Sequence, residues 1–265
     1  LVLDQLAGQF ALFSRGSDAT IIWAAGAQSV SNSQSGISPE LDSFHDFVDA
    51  ISSVKALHGA TIAIVSSVGG VYSGSLTPPF NSASPVNAIN QYGLDKIEIE
   101  NLSARQLTGF FRVQIARVTN IYGPWSGPRQ GLINRLCTAA ATREALQIYV
   151  PLDTVRDYIY IDDAAQLVLF ELDFARLFKL EKQPSVSLIG SGENSSIGSV
   201  INTVTHVAHR KVPVTMALLA ETQLQARDLR IHPSWIDRGL HFAPVPLAQG
   251  VKKLFDSLVT SPRWT

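Results

Sequence analysis

The chain alternates short apolar runs with amphipathic stretches, a pattern that predicts strand–helix–strand units around a parallel sheet. Ala19 to Ala25 is an apolar run closed by Gly26, which suits a buried strand. Ser38-Pro39 then offers an N-cap followed by proline at the first helical position. Leu41, Phe44, Val48 and Ile51 follow at helical spacing, and Gly59 can stop the helix. Thr61 to Val65 predicts a second buried strand. Ser73 to Ile89 is rich in Ser, Pro and Asn, so an exposed loop able to close over a substrate is expected there.

Further on, the spacing predicts a helix over Gln91 to Leu107 and a strand over Phe111 to Val118. Gly131 to Arg143 reads as a helix and Leu146 to Val150 as a short strand. Asp162 or Asp163 can cap a helix running to Phe178. Val186 to Ile189 is a late strand, and Ser195 or Ser196 caps a helix to Ala208. The tail offers a strand at Pro213 to Met216, a short helix at Pro233 to Arg238 and a final helix from Leu247 to Leu258. No internal repeat is visible.

Composition narrows the function classes. At 265 residues, with 46% hydrophobic and 16% charged content, the chain suits a packed globular enzyme. The net charge of −1, without a basic stripe, argues against a nucleic-acid partner. No apolar run approaches the ~20 residues that span a bilayer, so no membrane role is expected. Cys137 is the single cysteine and the histidines lack metal spacing, so neither a disulfide nor a metal is expected. A reducing, cytoplasmic setting fits this usage.

The chemistry concentrates around Tyr92-Gly93-Leu94-Asp95-Lys96. Tyr and Lys four apart share one helix face, and an ammonium beside a phenol favours the phenolate. Ser66 and Ser67 end the preceding strand, where a hydroxyl can hydrogen-bond a substrate oxygen. Together these groups can move a proton off an alcohol or onto a carbonyl. Each residue also has a plain reading: a surface tyrosine and lysine on a helix, and two serines bonding backbone at a turn.

The ordered motifs resemble the extended short-chain dehydrogenase/reductase family, the NAD-dependent nucleotide-sugar epimerases and dehydratases. Ile21 to Gly26 is similar to the strand and turn beneath the dinucleotide, and Ile64 to Ser67 with Val71-Tyr72 to the serine strand. Tyr92 and Lys96 resemble the catalytic pair. Asn120-Ile121-Tyr122-Gly123-Pro124 and the segment Arg156 to Asp163 resemble the later signatures. The resemblance implies Ser67, Tyr92 and Lys96 as catalytic residues. It implies Ala24, Ala25, Gly26, Ser66, Tyr92, Lys96 and Asn120 as binders of NAD or NADP. Asn120, Tyr122 and Arg156 would bind the substrate, with Arg156 set against a diphosphate. Asp157 and Asp163 read as structural caps or arginine partners.

The implied fold is a Rossmann-like doubly wound parallel α/β sheet with a smaller α+β substrate lobe. The sheet would take residues 1–118 and 153–190, and the lobe residues 119–152 and 191–265. A homodimer is implied through the helices starting near Pro39 and Gln91. The family's glycine-rich phosphate turn has no counterpart before Ile21, where Gly8 and Gly16 stand alone. The chain is therefore read as N-terminally truncated, a fragment lacking the first strand or strands, with impaired cofactor binding. The expected activity is that of an epimerase or dehydrogenase/reductase acting on a sugar, expected to be a nucleotide sugar. Val68, Gly69 and Gly70 stand where dehydratases of the family carry acidic residues, so dehydration is disfavoured. The alternative is a catalytically inactive binding or structural protein of the same fold.

Overall fold

A computed structural model of the protein describes residues 19–25, 39–124, 131–177, 182–217 and 226–260. Gly8, Gly16, Gly26 and Ser38 lie outside the described residues. The first half contains β1 (Thr20–Trp23), α1 (Pro39–Ser53), β2 (Thr61–Ser67), α2 (Val68–Val71), α3 (Gln91–Gln106) and β3 (Arg112–Val118). There follow β4 (Asn120–Tyr122), α4 (Leu132–Thr142), β5 (Leu146–Ile148), β6 (Val155–Tyr160), α5 (Ile161–Arg176) and β7 (Ser185–Ile189). The rest holds β8 (Asn194–Ser196), α6 (Ile197–Ala208), β9 (Val214–Met216), β10 (Asp228–Leu229), α7 (Ser234–Asp237) and α8 (Leu247–Val259). Among the described residues, no helix is long and apolar enough to cross a membrane.

The chain divides into two compact units. One comprises the described residues up to Tyr72, Pro85–Arg117 and Leu167–Ser187. The other comprises Ser73–Ser84, Val118–Gln166 and the described residues from Leu188 onward.

β1, β2, β3 and β7, whose residues lie mainly in the first unit, form a sheet in that order. β1 and β2 run parallel, with Thr20 opposite Thr61 and Trp23 opposite Ile64. The apolar positions of α1 do what their spacing predicts: Phe44, Val48 and Ile51 are buried with Ile62, Ile64, Ile99, Leu102 and Phe111. Trp23 meets Phe44 edge-on, with ring centroids 5.2 Å apart.

In the second unit, β6 runs between β4 and β10, parallel to both, and β8 pairs with it in the antiparallel sense. The core gathers Tyr122, Leu136, Ile197, Val200, Val204, Val251 and Leu254. Ser196 caps α6 by accepting a hydrogen bond from the Ser199 amide at 3.1 Å. The helix after β6 starts at Ile161, so Asp162 and Asp163 occupy its first turn rather than its cap.

Two differences from the expected organisation have physical causes. The segment Val155–Tyr160 belongs to the second unit because its ladder partners, β4, β8 and β10, all lie there. The loop from Ser73 is exposed at Leu76 but pinned at Phe80, which is buried. The Phe80 amide donates to the Arg230 carbonyl at 2.9 Å, and its carbonyl accepts from the His232 amide at 2.7 Å.

Candidate active site

The first unit holds Ser66 and Ser67 at the carboxyl end of β2 and Tyr92 and Lys96 on α3. Successive residues of a strand face opposite ways, so Ser66 and Ser67 receive different tasks. Ser66 is buried and donates to Glu100 Oε1 at 2.6 Å. Ser67 is half-buried and caps α2, its hydroxyl oxygen accepting from the Gly70 amide at 3.2 Å. A hydroxyl used as a cap acceptor keeps its own proton for another partner. Ala24 and Ala25 leave β1 exposed, next to the strand that carries the two serines.

The α2 turn and the start of α3 touch because both contribute glycine. A Cβ at Gly93 would stand 2.4 Å from the Gly70 carbonyl oxygen, and one at Gly70 would stand 3.0 Å from Tyr92 Cε1. Asn90 caps α3 by accepting from the Gly93 amide at 2.9 Å. Tyr92, half-buried, therefore lays its ring on the turn that Ser67 caps. Lys96 lies one helical turn on, with Nζ 5.7 Å from the Tyr92 ring centroid. Its ammonium is ion-paired with the Glu40 carboxylate of α1.

A second buried network backs this one. Arg117 makes a bidentate contact with Glu100, Nε to Oε1 at 3.0 Å and Nη2 to Oε2 at 2.6 Å. Its Nη1 donates to the Tyr72 hydroxyl at 2.6 Å. Burial pulls Arg117 down, but the Glu100 carboxylate outweighs it and leaves the guanidinium above its ordinary value. Burial raises the Tyr72 phenol, offset in part by Arg117. Sequence reasoning singled out neither Glu40 nor Glu100. Glu100 had a signal, standing four residues after Lys96 on its helix face; Glu40, remote in sequence, had none.

The second unit holds the remaining expected residues. Asn120 is exposed, and its Nδ2 donates to the Asp157 carbonyl at 2.9 Å. The Tyr122 side chain, expected at the substrate, is instead buried in the core, edge-on to Tyr160 with centroids 5.7 Å apart. A Cβ at Gly250 would stand 2.2 Å from its hydroxyl oxygen, so α8 can approach only as glycine there. Burial drives this phenol well above its ordinary range.

Arg156 is buried and donates to the carbonyls of Val155 and Ala226. Burial lowers its pKa from the ordinary arginine value. Asp157 serves backbone: Oδ1 accepts from the Ser191 amide at 3.0 Å and Oδ2 from the Gly192 amide at 2.7 Å. Thr119 Oγ1 adds a bond of 2.8 Å to Oδ1. A Cβ at Gly190 would meet Asp157 Oδ1 at 2.7 Å, which requires glycine at the turn. Asp163 accepts from the Val245 amide at 2.7 Å. Gly26, the remaining expected cofactor contact, lies outside the described residues.

Comparison with known proteins places these features in a family. A dTDP-4-dehydro-6-deoxyglucose reductase of Escherichia coli is 25% identical over 206 residues, covering 76% of this chain and 62% of that protein. A UDP-glucose 4-epimerase of Streptomyces lividans is 26% identical over 184 residues, covering 62% of this chain and 53% of that protein. The chain thus spans less than two thirds of the length of these relatives. Among solved structures, the UDP-glucose 4-epimerase of Brucella ovis in complex with NAD gives a TM-score of 0.81 at 20% identity. That match covers 97% of this chain and 82% of the other. The dTDP-glucose 4,6-dehydratase of Bacillus anthracis in complex with NAD gives 0.77 at 16% identity, covering 99% and 78%. At these identities the likeness establishes the Rossmann-like α/β fold. The family model for NAD dependent epimerase/dehydratase matches residues 3–180, and the chain belongs to that family.

Proposed function

We propose that the protein is an NAD-dependent epimerase or dehydrogenase/reductase acting on a nucleotide sugar, with Tyr92 as its general acid/base. The observation that carries this reading is the Tyr92–Lys96 pair on one face of α3, with the phenol ring laid against the turn that Ser67 caps. Tyr92 takes the proton of a sugar hydroxyl or returns one to a carbonyl oxygen. Ser67 donates its remaining proton to that same oxygen and orients it. The Lys96 ammonium stabilises negative charge on the phenol oxygen. Arg156 and Asn120 are the proposed contacts for the nucleotide part.

The exposed small residues at the end of β1 and the neighbouring serine strand fit a dinucleotide, because such ligands lie beyond the carboxyl ends of parallel strands. Ala24, Ala25 and Lys96 would hold it. NAD, carried by the structural neighbours, supplies hydride acceptance and donation when bound.

The test is turnover of UDP-glucose and dTDP-sugars with NAD by the full-length protein and its Tyr92→Phe variant. Loss of the phenol is expected to slow turnover by about 100-fold or more. Wild-type turnover in Tyr92→Phe sinks the mechanism. A wild-type protein without NAD-dependent turnover supports the rival reading, a non-catalytic member of the same fold.

A further inference from the structure

Lys96 is set in an unusual way for a lysine at a half-exposed site. Its side chain is 8% exposed, and the Glu40 carboxylate that receives its ammonium is 3% exposed. The two residues lie 56 positions apart, so two separate elements converge to make the pair. Glu40 stands in the first turn of α1, where the helix N-terminus favours a carboxylate. A buried ion pair of this kind is seldom needed for stability alone, because apolar replacements often serve as well. A lysine stem is flexible, and an ammonium held by a fixed carboxylate loses most of its freedom. The same ammonium lies over the Tyr92 ring, 5.7 Å from its centroid.

We infer that Glu40 is a positioning residue for proton transfer, its carboxylate fixing the Lys96 ammonium beside Tyr92 and offsetting part of its charge. The inference rests on the reading of Tyr92 and Lys96 given above. It adds a carboxylate that acts through the lysine and does not itself touch the reacting oxygen.

Two measurements on the full-length protein test it. The first is trace labelling with acetic anhydride in the absence of cofactor, read by mass spectrometry at Lys96. Glu40→Gln is expected to raise labelling of Lys96 several-fold while leaving the exposed Lys252 unchanged; equal labelling at Lys96 overturns the inference. The second is a double-mutant cycle on turnover of UDP-glucose with NAD, using Glu40→Gln and Lys96→Met. Glu40→Gln is expected to slow the wild type about 10-fold and to cause no further loss in Lys96→Met. An unchanged rate in the single variant, or an equal loss in both backgrounds, overturns the inference, since a purely structural role multiplies through. Glu40→Asp, which keeps the charge but withdraws it by one methylene, enters the same cycle if the glutamine variant does not fold. Full activity of Tyr92→Phe, or no turnover at all, removes the underlying reading and the inference with it. Tyr92-dependent turnover that is indifferent to Glu40 removes the inference alone.

Discussion

The two units bury charge in opposite ways. In the first, two pairs of buried charges meet each other, Lys96 with Glu40 and Arg117 with Glu100, while Asp95 accepts from the Gln91 amide group. In the second, no opposite charge among the described residues meets them: Arg156 donates to carbonyls, Asp157 accepts from the Ser191 and Gly192 amides and the Thr119 and Ser191 hydroxyls, and Asp163 accepts from the Val245 amide. A charge bonded to backbone fixes the course of a loop. A charge bonded to another charge fixes a side chain and the local potential. The first arrangement fits the proton transfer proposed for Tyr92, and the second holds the turns around Arg156, Asp157 and Asp163 in place.

The contrast can be broken most severely at Arg117. Arg117→Met leaves the Glu100 carboxylate buried without its cation, and about 3–5 kcal/mol of stability is expected to be lost. Urea unfolding reads this as a lower midpoint at unchanged slope. Asp157→Asn turns an amide toward backbone donors and is expected to cost less, about 1.5–3 kcal/mol. Limited proteolysis should localise that damage to the turn at Gly190–Gly192. If Asp157→Asn proves the costlier of the two, the division between side-chain and backbone partners does not rank the units.

An alkaline effect is the smallest at neutral pH and grows only as pH rises above 9.0. Burial pushes the Cys137 thiol up to about 12, and it pushes the Tyr158 phenol up to about 12 against the pull of Arg156. The unfolded chain ionises these groups first, from the ordinary values of 9.0 and 10.0. Their contribution is therefore complete below pH 9.0 and is lost as pH rises toward 12. Cys137 should resist iodoacetamide at neutral pH and react on unfolding. Alkylation of the native protein at neutral pH would contradict its burial.

The sequence was legible where one period governed a whole element. α1, α3, α6 and α8 follow from apolar spacing, and the Ser196 cap follows from hydroxyl placement. β6 was not legible, because Arg156 and Asp157 interrupt the apolar run that marks a buried strand. Both are buried all the same, since backbone groups from elsewhere in the unit satisfy them. At the site, Tyr92 and Lys96 stood out because helical geometry joins residues four apart. Glu40 did not, since nothing local ties it to a lysine 56 positions on. Tyr122 read as a site residue from its motif, yet packing against Gly250 claims its side chain for the core.

The end of β2 works as a reading frame. Ser66 faces the Glu100–Arg117 network and Ser67 faces the cap of α2, and only the parity of the strand separates them. Deleting one residue between Thr61 and Val65 would slide both hydroxyls by a single step and exchange their faces. The chemistry of this edge should therefore tolerate many substitutions within the strand better than one change in its length.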